Sequence, residues 1–233
     1  MMDAKIDWST IRLVAFDVDG TLYDQRAMRL RMLREIAANV MQTRSLTALR
    51  VLRTYRQLRE SIGDDEIDGF EDVLIARTVK ASGVDQTTVR SIVAEWMERR
   101  PLTHIRACRY PHVTELFAAL KQKGKTIGIL SDYSAGDKLR AMELKADHIV
   151  AAGDAGVGIL KPHPRGLEVL MKQAGASPAE TILIGDRIER DGAAARRAGA
   201  MALIRSSRPL DGWLHVSTYA DPLFAPLFER SPG

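Results

Sequence analysis

Apolar residues recur along this chain in two rhythms. Short, nearly unbroken runs stand at 13–16, 126–130, 149–152, 181–184 and 201–204. Runs of this length, bounded by polar or turn residues, read as strands covered on both faces. Between 24 and 103 no such run occurs, and apolar residues come at spacings of three and four instead. Met28, Met32, Leu33, Ile36, Ala37 and Val40 form one helical stripe. Leu46, Leu49, Leu52, Tyr55 and Leu58 form a second, with Arg50, Arg53, Arg56 and Arg59 in the row beside it and Ser45 as its expected N-cap. The acidic stretch 60–72, with Gly63 and Gly69, predicts a loop running into a third helix over 70–81. Asp85 is placed to cap a fourth, through Ile92, Val93 and Trp96, which Pro101 would end.

Beyond 105 the rhythm alternates. Pro111 opens a helix through Val113, Leu116, Phe117 and Leu120, closed by Gly124. Further helices are expected near 137–144, from Pro164 onward, and over 191–198 with Gly199 as its C-terminal cap. Ser177 and Glu180 have capping-box spacing just before the run at 181–184. Strands alternating with helices predict an α/β fold, a doubly wound parallel sheet with helices on both faces. The helices of 24–103 predict a small bundle inserted after the first strand. The tail from Ser206 reads as packing or an edge strand.

Composition narrows the class only modestly. The chain has 233 residues, 45% apolar and 27% charged, and can bury a sizeable core. Its one cysteine, Cys108, has no intrachain partner, which fits a reducing compartment and a packing role. No stretch has the length and apolarity of a bilayer span, and Asp3, Asp7 and Trp8 are foreign to a secretory leader, so a cytoplasmic location is expected. A net charge of +4 suits a phosphorylated ligand as well as many neutral ones. The acids of 60–72 nearly balance the preceding arginines and no nucleic-acid motif is present, so a nucleic-acid partner is not expected.

Chemistry enters at three strand ends. The first run stops at Asp17, followed by Asp19, Gly20 and Thr21; another stops at Ser131-Asp132; a third stops at Gly185-Asp186, with Asp191 close behind. In an open parallel sheet these ends lie along one crevice. Asp17 and Asp19 alone read equally as a surface turn or as a site. With Asp186, Asp191, Ser131 and Lys161 they supply carboxylates for a hard cation, a hydroxyl and an ammonium, which suits a phosphate ester. Gly124-Lys125-Thr126 is no Walker lysine, because Ala119 stands where the first glycine belongs. Gly153, Gly156 and Gly158 do not make a dinucleotide fingerprint.

The ordered set resembles the four motifs of the haloacid dehalogenase-like superfamily. Asp17-Val18-Asp19-Gly20-Thr21-Leu22 matches the first, Ser131 the second, Lys161 before Pro162 the third, and Gly185-Asp186 with Asp191 the fourth. The resemblance implies a Rossmann-like catalytic core of residues 1–23 and 104–233, with an α-helical cap domain over 24–103. It implies a Mg²⁺-dependent phosphatase of small phosphorylated metabolites, acting as a monomer or homodimer. Asp17 would be the nucleophile and Asp19 the acid and base, with Thr21, Ser131 and Lys161 binding the phosphoryl group. Asp17, the Asp19 carbonyl, Asp186 and Asp191 would hold the metal. An acid at Asp19 disfavours dehalogenation, since dehalogenases of the family generally lack one there. A sugar phosphomutase using the same aspartates is the alternative enzyme, and a silent module that binds a phosphorylated ligand is the alternative outside catalysis. His163 stands where the family often has Asp or Asn, and reads as a solvated residue flanking a helix. The arginine row reads as solvated, against a role in selecting a substrate with a second anionic group.

Overall fold

The run Leu13–Phe16 forms strand β1, with all its side chains buried, as an inner strand of a parallel sheet requires. In this computed structural model, which describes residues 6–229, a helical stretch follows; Asp3 lies outside the described residues. It comprises α1 (Gln25–Thr43), α2 (Thr47–Asp64), α3 (Phe70–Ser82), α4 (Gln86–Val93) and, after a π-turn over Ala94–Arg99, α5 (Arg100–Cys108). Then come α6 (Val113–Gln122), β2 (Thr126–Ser131), α7 (Gly136–Ala141) and β3 (His148–Ala151). They are followed by α8 (Arg165–Ala174), β4 (Thr181–Gly185), α9 (Ala193–Arg197) and β5 (Met201–Arg205). The tail adds β6 (His215–Val216) at the sheet edge and α10 (Ala225–Phe228).

The strands lie in the order β3-β2-β1-β4-β5-β6, and every pairing is parallel. The chain winds outward from β1 to one side, then returns to wind outward on the other, which opens a crevice at the carboxyl end of β1. Side chains alternate across the sheet. Val14 and Phe16 pack into a core with Leu116 and Phe117 of α6, while Leu13 and Ala15 pack with Leu167 and Leu170 of α8 and Ala194 of α9. The expected doubly wound α/β sheet is therefore what forms. Cys108 is buried in the first of these cores. Tyr219, from the tail, donates from its hydroxyl to the Thr21 carbonyl (2.8 Å), bracing the loop after β1.

The helical stretch divides its apolar residues between two cores. Met28, Met32 and Ile36 of α1 join the core that holds Phe16, whereas Val51 and Tyr55 of α2, Leu74 of α3 and Val89 of α4 share a separate one. Asp24 caps α1 through the amides of Arg26 and Ala27, and Asp85 caps α4 through that of Thr88.

Four local expectations are corrected. The N-cap of α2 is Leu46; Ser45 accepts the Thr47 amide (3.2 Å) from one residue further out. Helix α2 runs on through Gly63 to Asp64, because Gly63 faces the Arg190 guanidinium, where a Cβ would meet Nη1 at 2.5 Å. Pro101 does not end the helical stretch: it follows directly on the π-turn over Ala94–Arg99, and the chain stays helical through it into α5. The helix expected over 191–198 begins earlier, as a π-turn over Ile188–Gly192 that runs directly into α9.

Candidate active site

Since β1 is flanked by β2 and β4, their ends bring Asp17, Ser131 and Asp186 side by side. The pairing continues one residue past β1, where the Asp17 amide donates to the Ile184 carbonyl (2.9 Å). The loop then turns at Gly20, whose φ of +96° suits glycine, and passes so close to Asp186 that a Cβ would lie 2.2 Å from Oδ2. Asp17 is buried. Its Oδ2 accepts from the Thr21 hydroxyl (3.0 Å) and its Oδ1 from Lys161 Nζ (2.5 Å). The same ammonium donates to Asp191 Oδ1 (2.7 Å), and Asp191 Oδ2 accepts the amides of Asp186 (3.1 Å) and Arg187 (3.0 Å). One carboxylate oxygen from each of Asp17, Asp186 and Asp191 lies within 4.8 Å of the others.

Two acids, Asp17 and Asp191, thus share one ammonium, and a third, Asp186, stands beside them. Burial pushes the Asp17 carboxyl well above the ordinary carboxylate range, and the charges of Asp191 and Asp186 add to the push against Lys161. Burial and Asp191 likewise push Asp186 up to about 7. For Lys161, burial opposes the charged form, but Asp17 and Asp191 outweigh it and the ammonium holds its proton well above its usual range. A cluster of hard carboxylate oxygens with an excess of negative charge fits a divalent cation such as Mg²⁺.

Asp19 faces different partners. Lys138 Nζ donates to both of its oxygens (2.7 and 2.8 Å), and the Tyr23 hydroxyl donates to Oδ1. Burial pushes the Asp19 carboxyl up, but the Lys138 charge and these hydrogen bonds prevail and hold it below the ordinary range. Neither partner is evident in the sequence. Lys138 sits on a six-residue helix, among polar residues that carry no periodic signal. Tyr23, only four residues past Asp19, is the one that proximity could have flagged.

Thr21 and Ser131 are both buried. Thr21 spends its donor on Asp17, and Ser131 Oγ accepts the Tyr133 amide (3.2 Å). Lys161 is set by its own backbone: its amide donates to Asp132 Oδ1 (3.1 Å) and its carbonyl accepts from Arg190 Nη1 (2.9 Å). His163 accepts the Arg165 amide at Nδ1 (3.2 Å), at the start of α8, which agrees with a helix-flanking role.

Above these residues lies a cleft of about 520 Å³ between the sheet crest and the helical stretch. Its far wall carries Met28, Met32 and Trp96, and the guanidiniums of Arg29, Arg56 and Arg59. The arginine row therefore splits: Arg50 and Arg53 are exposed and solvated, whereas Arg59 is buried between the Tyr133 and Phe70 rings (4.0 and 4.9 Å). Its guanidinium donates to the Tyr55 hydroxyl (3.3 Å) and the Asp132 carbonyl. On the other side of α2, Arg190 reaches the Glu60 carbonyl (2.9 Å) and Asp64 Oδ1 (2.6 Å), while Arg187 makes a two-pronged contact with Glu60 (3.0 Å each).

The model of the family described as haloacid dehalogenase-like hydrolase matches residues 11–199, which contain Asp17, Asp19, Ser131, Lys161, Asp186 and Asp191. The chain belongs to the haloacid dehalogenase-like hydrolase family. Within that family it is a member of phosphatase type. It is 26% identical over 204 residues to the glyceraldehyde 3-phosphate phosphatase of Methanothermobacter thermautotrophicus, covering 84% of this chain and 86% of that protein. It is 27% identical over 216 residues to the phosphoglycolate phosphatase of Shigella dysenteriae, covering 81% and 79% respectively. Its fold is shared with the hydrolase YfnB of Bacillus subtilis bound to magnesium, with a TM-score of 0.69 at 16% identity over 94% of this chain and 99% of that one.

Proposed function

We propose that this chain is a Mg²⁺-dependent hydrolase of small-molecule phosphate monoesters that works through an aspartyl phosphate on Asp17. The observation that carries the reading is the Asp17 carboxylate itself. It stands at a strand end on the floor of the cleft, oriented by Thr21 on one oxygen and Lys161 on the other, with Asp19 two residues on.

In the first step an Asp17 oxygen attacks phosphorus and the bond from phosphorus to the substrate alcohol breaks. Asp19, which Lys138 holds ionised at rest, takes up a proton as the substrate binds and gives it to the departing alkoxide. In the second step Asp19 takes a proton from water, the water oxygen bonds to phosphorus, and the bond from phosphorus to Asp17 breaks. Inorganic phosphate leaves, Asp19 releases its proton and both aspartates return to their starting states. Lys138 and Tyr23 orient the Asp19 carboxylate, and Lys138 favours the ionised form needed as base. Lys161 keeps a positive charge beside the transferring group, and Ser131 serves as a donor to it. Asp17, Asp186, Asp191 and the Asp19 carbonyl would hold Mg²⁺, and the chemistry it supplies when bound is neutralisation of charge on the phosphoryl oxygens.

The helical residues 24–103 are the cap that covers the cleft, and residues 1–23 with 104–233 are the catalytic core. α2, α3 and α4 share an apolar cluster of their own that also takes in Ala152 and Leu160 of the proposed core, while Met28, Met32 and Ile36 pack with Phe16, so cap and core meet through a common apolar contact. The test is Asp17→Asn on a phosphate-ester panel with Mg²⁺: turnover falls roughly a thousandfold or more while circular dichroism is unchanged. A folded Asp17→Asn protein that keeps its turnover moves the nucleophile elsewhere.

A further inference from the structure

Most cations lining the cleft already face a carboxylate. Lys161 faces Asp17 and Asp191, Lys138 faces Asp19, and Arg187 and Arg190 face Glu60. Three guanidiniums of the helical wall do not. Among the described residues, Arg29 on α1 donates to the neutral Gln25 amide oxygen (2.6 Å), and Arg56 on α2 forms no ion pair. Arg59, one turn further along α2, is only 8% exposed, and its two hydrogen bonds go to a phenol and a backbone carbonyl. Asp132 is the acid whose charge it feels, yet the Asp132 carboxylate is engaged by the Lys161 amide.

Burying a guanidinium without a carboxylate is costly, and the cost is relieved when an anion arrives. Of these arginines Arg59 alone bears that cost; Arg29 and Arg56, which line the cleft, and Arg50 and Arg53 further along the row are exposed. Between the arginines and the sheet crest the wall is apolar, through Met28, Met32, Trp96 and Met97. A ligand spanning this cleft therefore meets a phosphoryl site at Asp17, an apolar middle and a second cationic patch. Guanidinium forks match the planar oxygens of carboxylate and phosphate groups.

We propose that Arg59, Arg56 and Arg29 form a second anion subsite. The preferred substrates are then phosphate monoesters whose leaving group carries a further carboxylate or phosphate on a short apolar stem. This inference rests on the phosphatase reading of the same cleft.

The experiment compares three series of matched length, from two to four carbons: alkyl phosphates, ω-phosphooxy carboxylates and alkanediol bisphosphates. The expected result is a kcat/KM about ten- to a hundredfold higher for one or both doubly anionic series, carried mainly in KM. Which series gains most identifies the second anion. In the Arg29→Ala/Arg56→Ala protein this gap narrows about tenfold, and Arg56→Lys restores part of it; Arg59 is left intact because its removal endangers folding. Equal kcat/KM across the series, or a gap that the double variant leaves untouched, overturns the subsite while the phosphatase reading stands. If no series is hydrolysed with Mg²⁺, the phosphatase reading falls. Calorimetry of the same compounds with Asp17→Asn protein then judges the subsite alone: tighter binding of the doubly anionic ligands supports it, and equal binding or none overturns it.

Discussion

The two sides of the cleft are built on opposite principles. At the sheet crest, charges are buried and interlocked: Lys161 binds Asp17 and Asp191, and Lys138 binds Asp19. On the helical wall, Arg29 and Arg56 line the cleft with exposed side chains and have no ionic partner among the described residues. A buried network tolerates little change, because removing one member strands the charge of another. An exposed guanidinium is nearly free to exchange. The crest is thus suited to fixed chemistry and the wall to selection among substrates.

Substitutions can break this contrast, beginning at the crest. Asp17→Asn is expected to lower kcat roughly a thousandfold or more, read by phosphate release. Lys161→Met leaves a cluster of buried carboxylates without their ammonium, and should lower unfolding free energy by about 3–5 kcal/mol in denaturant titrations. A loss within about 1 kcal/mol would show that the acids are not ionised together. Arg190→Met stands at the boundary between the two sides. Its partners Glu60 and Asp64 have largely exposed side chains that water can rehydrate, so a smaller loss is expected, about 1.5–3 kcal/mol.

Proton linkage gives a gentler test. The folded-state pKa of Asp186 is raised to about 7, so its protonated form favours the folded chain. That stability is fully present below the ordinary carboxylate range and is lost as pH rises through about 7. Thermal melts of metal-free protein should fall over this window, and the fall should shrink when MgCl₂ is added. A profile that rises over the window would contradict the crowding of acids at the crest. The smallest effect belongs to the exposed pair of Arg197 with Glu66. Arg197→Gln should cost no more than about 1 kcal/mol and less still in high salt.

The sheet is legible in the sequence because doubly covered strands must be apolar throughout, so each strand end stands out where Asp17, Ser131 or Asp186 breaks the run. Lys161 and Asp191 are legible only in company, through their order relative to those ends. Lys138 and Arg59 are not, since nothing local separates a lysine or arginine that turns inward from one that turns to water. Arg59 shares its row with Arg50 and Arg53, and only the position of α2 over the Tyr133 ring buries it. The extension of α2 through Gly63 is hidden for the same reason: its cause is Arg190, more than a hundred residues away in the chain.

The fastening of the helical stretch bears on how ligands come and go. At one end, where the chain leaves and re-enters the core, the Asp24 amide donates to the Cys108 carbonyl (2.8 Å), beside the Tyr110 to Leu22 bond within the core (3.1 Å). At the other, Glu60, Asp64, Glu66 and Asp68 meet Arg187, Arg190, Arg197 and Arg165, and the Gly69 amide joins the Gly158 carbonyl (2.8 Å). The helical stretch is thus fastened on both sides, and its ionic contacts yield to salt while its peptide contacts do not. High salt is thereby expected to loosen the ionic seam while the apolar contacts of Met28, Met32 and Ile36 with the core around Phe16 hold, an outcome that amide exchange over 60–69 would read.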